Sequence, residues 1–523
     1  MLVQGGTSLR VHRRMTHLAL LLALMCTVAS AANKPNILFI YADDQPFKTL
    51  SCYPESPAWV KTPNIDALAK SGVRFHRSYL GAWCMPSRAS MLTGLLQPAV
   101  QTMRMEGQYP ASTYDPAQCR FWPAELRKYG YHTAHIGKWH TGTDSGYGRD
   151  WDHQIVWNRP GNPENAGNYY TDQIVSIDGQ EQKVGGYSTD NYTQWAVDYI
   201  QGQKRDPSKP WYLWLCYGAI HGPTTPADRH QGAYKGNKAE VPADIFGPRP
   251  DKPKYLDQTQ AWVRGKDGTP IKGKAAKRAN NFDHDVAGLS YDKWVQQVNE
   301  CALALDEGVG RVIDALKDSG QLDNTLVIYT ADQGFALGEH GFSIKVAPYD
   351  ANIASPLIVS MPSQLPQGKV CKQPVNSPDL VATILAFTGM KSPWAMHGHD
   401  MTPLLKAPET EAWDHPTLMI HTGDHYGADT NRIPTDPEVL SHTGKVPWWV
   451  LLRDGRFKYI RNLTAGEMEE LYDLKADPEE LNNLARQPGH RAKVEAMRAK
   501  TIKELERTNA PFAEALPPVM ELK

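Results

Sequence analysis

The sequence carries almost no excess charge of either sign: 56 lysines and arginines face 57 aspartates and glutamates, a formal net charge of -1. That balance excludes a broad basic footprint for nucleic acid or for an anionic membrane, since both need clustered, uncompensated cations. Cationic side chains can still gather locally around an anionic substrate. Long apolar runs are also missing beyond the N-terminal segment, which excludes stable membrane insertion of the mature chain. Cysteine is scarce, with 7 among 523 residues, widely spaced and without CxxC or Cys/His patterns. That excludes a disulfide framework and a zinc site. Cys26 lies in the N-terminal segment, and Cys52, Cys84, Cys119, Cys216, Cys301 and Cys371 follow it. Internal repeats and long low-complexity tracts are absent as well.

What is present begins with a leader. Arg10, His12, Arg13 and Arg14 precede the apolar run from Leu18 to Val28, and Ala29-Ser30-Ala31 offers small residues for cleavage. This is the layout of a signal peptide over 1–31, and it predicts an exported protein, periplasmic or secreted.

Four short apolar runs organise the next 370 or so residues, a length that suits a sizeable core. Asn36 to Tyr41 stops at Asp43-Asp44, and Trp211 to Tyr217 stops shortly before His221. Leu326 to Tyr329 stops before Asp332-Gln333, and Tyr131 to Ile136 stops before Lys138 and His140. Such runs read as strands buried on both faces, as in a parallel or mixed sheet covered by helices. Thr62-Pro63 opens a helix that Gly72 ends, with Thr62 as its capping residue, and a longer helix runs from about Asp292 to Ser319. Strands alternating with helices predict an α/β layered fold, in which ligands gather beyond the carboxyl ends of the strands. All four polar clusters sit there.

The stretch from about Gly222 to Ser290 is rich in Pro, Gly, Lys and Asp and reads as long, substrate-facing loops. Past about Met401 the texture changes. Trp448 to Leu452, Asp454-Gly455 and Phe457 to Ile460 form a hairpin pattern, Leu471 to Leu474 adds a strand, and Arg491 to Arg507 a closing helix. The reading is a catalytic domain over 32–400 and a smaller α+β domain over 401–523.

The densest chemistry lies in Cys84-Met85-Pro86-Ser87-Arg88-Ala89-Ser90-Met91-Leu92-Thr93-Gly94. Pro86 suits the first turn of a helix, which sets Cys84 at an N-terminus where exposed N–H groups favour an anion. A cysteine there, with Arg88 one turn on, reads as a low-pKa nucleophile, against the alternative of a packed core thiol.

This stretch resembles the signature of the formylglycine-dependent sulfatases, Cys-x-Pro-Ser-Arg followed by Leu-Thr-Gly, in the alkaline phosphatase-like superfamily. Other elements follow in the family's order. Asp43-Asp44 resembles its paired metal-binding aspartates, Gly137-Lys138-Trp139-His140 its Gly-Lys-Trp-His element, and His221-Gly222-Pro223 its His-Gly-Pro. Asp332-Gln333-Gly334, Gly338 to Gly341 and Lys345 resemble its second metal pair and sulfate-binding lysine. Gln333 departs from the usual Asn or His, and Ser51-Cys52-Tyr53-Pro54 departs from Gly-Cys-Tyr-Gly.

The resemblance implies a central mixed sheet flanked by helices and hydrolysis of sulfate monoesters. It implies oxidation of Cys84 to formylglycine by a maturation enzyme. Asp43, Asp44, Asp332, Gln333 and residue 84 would bind a divalent cation, Ca2+ before Mg2+, as suits hard oxygen donors. Lys138 and Lys345 would hold the sulfuryl oxygens, with His221 as general acid (with Lys345 beside it), His140 as the later base, and Arg88 orienting the nucleophile. Export and the loop-rich segment favour a sulfated carbohydrate as substrate. A small-molecule aryl sulfate, or a phosphonate or phosphate monoester hydrolysed on the same superfold, is the alternative. Trp83, Arg104 and Glu106 lie near the signature without an assigned place.

Overall fold

The computed structural model describes residues 34–105, 112–273, 287–410 and 412–520; the side chains of 104, 105 and 112 are not described. The leader over 1–31 and Glu106 fall outside these residues.

Fourteen strands matter for the site. Ten build one mixed sheet: β1 (Asn36–Ala42), β2 (Val73–Ser78), β3 (His132–Trp139), β4 (His153–Asn158), β5 (Gln173–Ile177), β6 (Gln180–Val184), β7 (Trp211–Cys216), β8 (Thr325–Ala331), β9 (Ser355–Ser360) and β10 (Lys369–Cys371). Across the sheet the order is β10-β2-β9-β8-β1-β7-β3-β4-β5-β6. The run β8-β1-β7-β3-β4 is parallel throughout, and antiparallel pairs flank it. Every residue of β1, β7 and β8 is buried, which explains their unbroken apolar runs.

Helices cover both faces: α1 (Pro63–Lys70), α2 (Cys84–Thr93), α3 (Trp122–Lys128), α4 (Ser188–Ile200), α5 (Tyr291–Asp318) and α6 (Ser377–Thr388). Thr62 does sit at the N-cap of α1, but its side chain makes no cap bond there. Its hydroxyl is engaged with Ser51 and Asp66 instead. The free N–H groups of α1 are met from another helix. Asp306 of α5 accepts from Ile65 N at 2.8 Å and from Asn64 N at 3.3 Å.

Strand β3 runs further than its apolar pattern. The sequence places its end before Lys138, yet the strand continues through Trp139 with Lys138 fully buried. A lysine ends a buried strand only if its ammonium lacks a partner, and here Asp43 supplies one. Within the described part of the 222–290 stretch, one short element is packed into the core. Trp262, on a short antiparallel pair with Pro270–Lys272, is buried against Trp294 of α5.

The C-terminal part has its own antiparallel sheet, β11 (Thr417–His421), β12 (Trp449–Asp454), β13 (Phe457–Asn462) and β14 (Glu469–Asp473), with α7 (Arg491–Arg507) packed on it. Alternate residues of β12 point to different cores. Trp449 and Leu451 join the main core, whereas Val450 and Leu452 join a second cluster with Leu418, Tyr459, Val494 and Leu505. Burial on both faces is why Trp448 to Leu452 reads as one apolar run. Among the described residues the cysteines are all free thiols, and no helix is long and apolar enough to cross a membrane.

Candidate active site

Register brings the polar clusters together. Ala42 of β1 pairs with Ala331 of β8, Tyr41 with Cys216 of β7, and Gly137 of β3 with the same Cys216. The ladder continues one step past the strands, with Asp43 N donating to Ala219 O and Asp332 N to Ala42 O. Asp44 follows in the left-handed region at φ 56, where aspartate is tolerated. Its N–H and that of Gln333 both donate to Asp332 Oδ1, at 3.0 and 3.1 Å. Gly137 is needed for spacing as well as for its positive φ: a Cβ there would stand 1.9 Å from Cys216 O.

Helix α2 begins at Cys84, and all of its residues are buried. Cys84 Sγ faces Asp43 Oδ1 at 3.3 Å and Asp44 Oδ1 at 3.8 Å, and Lys345 Nζ lies 3.1 Å from the sulfur. Lys345 also donates to both oxygens of Asp44, at 2.6 and 2.8 Å. Lys138 pairs with Asp43 Oδ2. Arg88 donates to Asp332 Oδ2 and to Lys138 O, each at 3.1 Å. Three carboxylates thus meet three cations around one sulfur, almost entirely out of water.

Two histidines flank this cluster. His221 Nε2 lies 3.5 Å from Asp44 Oδ2, and its ring stacks on Tyr169 with centroids 4.0 Å apart. Its Nδ1 is 2.5 Å from Gly222 O, so Nδ1 carries the proton and Nε2 accepts the Tyr169 hydroxyl at 3.1 Å. Tyr170 donates to His221 O at 2.6 Å. His140 is buried beyond the end of β3, with Arg159 Nη1 3.2 Å from its Nδ1. Tyr169, Tyr170 and Arg159 were not foreseen. They come from an irregular stretch between β4 and β5 where no periodicity or motif marks them. The adjacent tyrosines in a Gly- and Asn-rich loop are the one available signal.

The electrostatics correct one expectation. Cys84 is not a low-pKa thiol: burial, and then the charge of Asp43, pushes it up to about 12. The helix N-terminus and the lysines do not offset that environment. Burial, with Asp43 adding to it, raises Asp332 to about 7. Burial would raise Asp43 too, but the charges of Lys138 and Arg88 outweigh it and hold that carboxyl well below its usual range. Burial, reinforced by Lys345, holds His221 well below an ordinary histidine; burial and then Lys138 do the same to His140. Both rings are neutral.

The donor set fits a hard divalent cation. Asp43, Asp44 and Asp332 each offer a carboxylate oxygen, and Cys84 Sγ, itself a soft donor, marks the place of residue 84 beside them, all within 4.8 Å of one another. Gln333 stands at the same place, its Nε2 on Asp44 Oδ1 and its Oε1 3.4 Å from Ser87 Oγ. A half-turn of that amide exchanges nitrogen for oxygen and completes an oxygen set suited to Ca2+ or Mg2+. Trp83, just before the helix, keeps its indole N–H buried without a partner among the described residues.

A central mixed sheet of ten strands thus carries these groups at the ends of its parallel strands. The family model described as Sulfatase matches residues 35–390, and that described as N-sulphoglucosamine sulphohydrolase, C-terminal, matches residues 338–508. The chain belongs to the sulfatase family and is a sulfuric ester hydrolase. An N-acetylglucosamine-6-O-sulfatase of Bacteroides thetaiotaomicron is 29% identical over 507 residues, covering 88% of this chain and 85% of the relative. A solved protein in complex with its substrate D-glucosamine-2-N,6-O-disulfate superposes with a TM-score of 0.74 at 24% identity, covering 91% and 98% of the two chains. A phosphonate monoester hydrolase of Silicibacter pomeroyi shares the fold with a TM-score of 0.67 at 22% identity, covering 91% and 96%.

Proposed function

We propose that this sulfatase removes sulfate from a sulfated carbohydrate, with residue 84 as nucleophile after oxidation of Cys84 to formylglycine. The observation that carries the reading is the position of Cys84 at the buried start of α2, 3.1 Å from Lys345 and 3.3 Å from Asp43. Burial pushes that thiol up to about 12, which makes it a poor nucleophile as it stands and supports its conversion before reaction. As the hydrated aldehyde it supplies one hydroxyl for attack on sulfur and a second whose deprotonation releases sulfate. A divalent cation held by Asp43, Asp44, Asp332 and Gln333 would polarise the ester and favour the ionised nucleophile.

The remaining work falls to the chain's own groups. Lys138 and Lys345 hold the sulfuryl oxygens and offset the charge that develops on them. Arg88, anchored on Asp332, orients residue 84. His221 protonates the departing oxygen once its Nε2 has taken up a proton, which the ester's anionic sulfate favours by raising the ring's proton affinity; Lys345, already charged, stands next to it as a second donor. His140 takes the proton of the remaining hydroxyl. The curated relative acting on N-acetylglucosamine 6-O-sulfate supports a sulfated amino sugar as the first substrate to test. Export through the 1–31 leader and a formylglycine-generating enzyme in the source cell complete the reading.

Mass spectrometry of the tryptic peptide from Ser78 to Arg88, from native-source protein, tests the nucleophile. The expected mass is that of an aldehyde in place of the thiol. The same sample is then assayed for release of sulfate from N-acetylglucosamine 6-sulfate, and of phenol from the phenyl monoester of methylphosphonic acid. A wholly unmodified thiol in protein that still releases sulfate would end the formylglycine assignment. Faster turnover of the phosphonate would end the sugar sulfate assignment.

A further inference from the structure

Lys345 holds its ammonium on Asp44 and Cys84, and the next residue is conformationally unusual. Val346 lies at φ +87, a region that β-branched residues avoid because the branched Cβ crowds the backbone. It is buried, and its carbonyl accepts the indole N–H of Trp449 at 2.9 Å. Trp449 opens β12 of the C-terminal sheet and is itself fully buried.

The flanking residues are tied down as well. Ile344 O accepts from Asn352 Nδ2 at 2.7 Å and from Ala336 N at 3.3 Å. Gly444, another C-terminal residue, packs so closely that a Cβ there would stand 3.2 Å from Ile344 Cδ1. Further on, Tyr349 donates to Glu470 of β14 at 2.8 Å, and Asp350 N donates to Glu480 at 2.6 Å. The loop carrying Lys345 is therefore clamped along its length, much of it by the C-terminal part, and its β-branched residue at positive φ is clamped directly by Trp449. Strain of this kind persists only where its surroundings over-determine it.

We propose that Trp449 is a positioning residue for sulfate-ester hydrolysis: its hydrogen bond to Val346 holds the backbone in the left-handed conformation that aims Lys345 at the nucleophile. This rests on the reading of Lys345 as a sulfuryl-binding residue. The C-terminal sheet thereby takes part in turnover without touching the reacting atoms, through one indole N–H.

Steady-state kinetics on N-acetylglucosamine 6-sulfate test this in four proteins: wild type, Trp449→Phe, Val346→Gly/Trp449→Phe and Lys345→Ala. Phenylalanine keeps an aromatic ring and loses the donor. Trp449→Phe should lower kcat on the order of ten-fold with KM little changed, the scale expected when a catalytic group is misplaced. Glycine takes positive φ at little cost, so the double variant no longer needs the bond and should regain most of that loss. A structural role alone would lower the melting temperature of Trp449→Phe and leave kcat of the folded protein unchanged, and the double variant would then restore only the melting temperature. If Trp449→Phe alone fails to fold, the double variant, relieved of the φ cost, should recover both folding and turnover. Wild-type kcat in Trp449→Phe, or a double variant no better than the single one, overturns the proposal. Wild-type kcat in Lys345→Ala would overturn the underlying reading of Lys345 instead.

Discussion

At the scale of single residues, the arrangement around His221 makes a sharp demand. Tyr169 does two things to this ring: it stacks on one face and donates its hydroxyl to Nε2. Tyr169→Phe keeps the first and removes the second. The lost bond is worth about 0.5–1.5 kcal/mol if it fixes the ring during turnover, so kcat should fall about 2- to 10-fold, with a melting temperature lowered by no more than a few degrees. Unaltered kcat would show that stacking alone orients the ring. The residues of the proposed site that were legible in the sequence share one property. Asp43, Asp44, Asp332 and Gln333 are polar residues placed where a buried apolar run ends, and such a change is visible without a structure. Cys84 was legible for a different reason, as part of a dense motif. Tyr169 and Arg159 act on neighbours 52 and 19 positions away. Nothing in their local sequence records that distance. The thiol's chemistry differs from its motif for the same reason: a helix N-terminus is local, whereas the burial that raises its pKa, and then the charge of Asp43, come from elements distant in sequence.

At the scale of elements, the sequence marks where helices and strands lie better than it marks what secures their ends. Thr62-Pro63 predicts the start of α1 correctly, yet the N–H groups of that turn are satisfied by Asp306, more than 240 positions away. Asp306→Ala would leave those donors buried without an acceptor. The expected cost is about 2 kcal/mol in denaturant unfolding, within the range for buried unsatisfied groups. Thr62→Ala, in contrast, loses no cap bond to α1. If the two variants lose equal stability, the cross-helix cap is not what holds the end of α1. The same contrast explains β3, whose apolar pattern stops before Lys138 although the strand continues. Its partner Asp43 belongs to another strand, so the residue that permits the burial lies outside any local window.

At the scale of the whole molecule, a buried charge cluster joins the loop after Lys345 to the C-terminal sheet, and its titration shapes stability. Asp350 accepts from Lys458 Nζ and from Tyr79, each at 2.8 Å, while Glu480 Oε1 lies 2.7 Å from the same Lys458 Nζ, off the line of a hydrogen bond. One positive charge is shared here between two carboxylates. Burial works against both, but Lys458, Arg453 and Arg77 overcome it at Asp350 and hold that group well below its ordinary range. At Glu480 burial prevails over Lys458, with the Asp350 charge adding to it, and the group is pushed up to about 7 from an ordinary value of 4.5. The sign follows from proton counting. Between those two values the folded chain keeps a proton that the unfolded chain releases, so stability from Glu480 is complete below 4.5 and is lost as pH rises through about 7. Asp350 acts in the opposite sense, stabilising at neutral pH and failing only in acid. Glu480→Gln keeps an oxygen for Asp350 N and has no proton to lose. Its melting temperature should match the wild type near pH 5 and exceed it near pH 8, because only the wild type must bury a second negative charge there. Equal losses between those two pH values in both proteins would place the ionised Glu480 comfortably beside Lys458. The cluster would then tie the two parts of the chain together without making their union depend on pH.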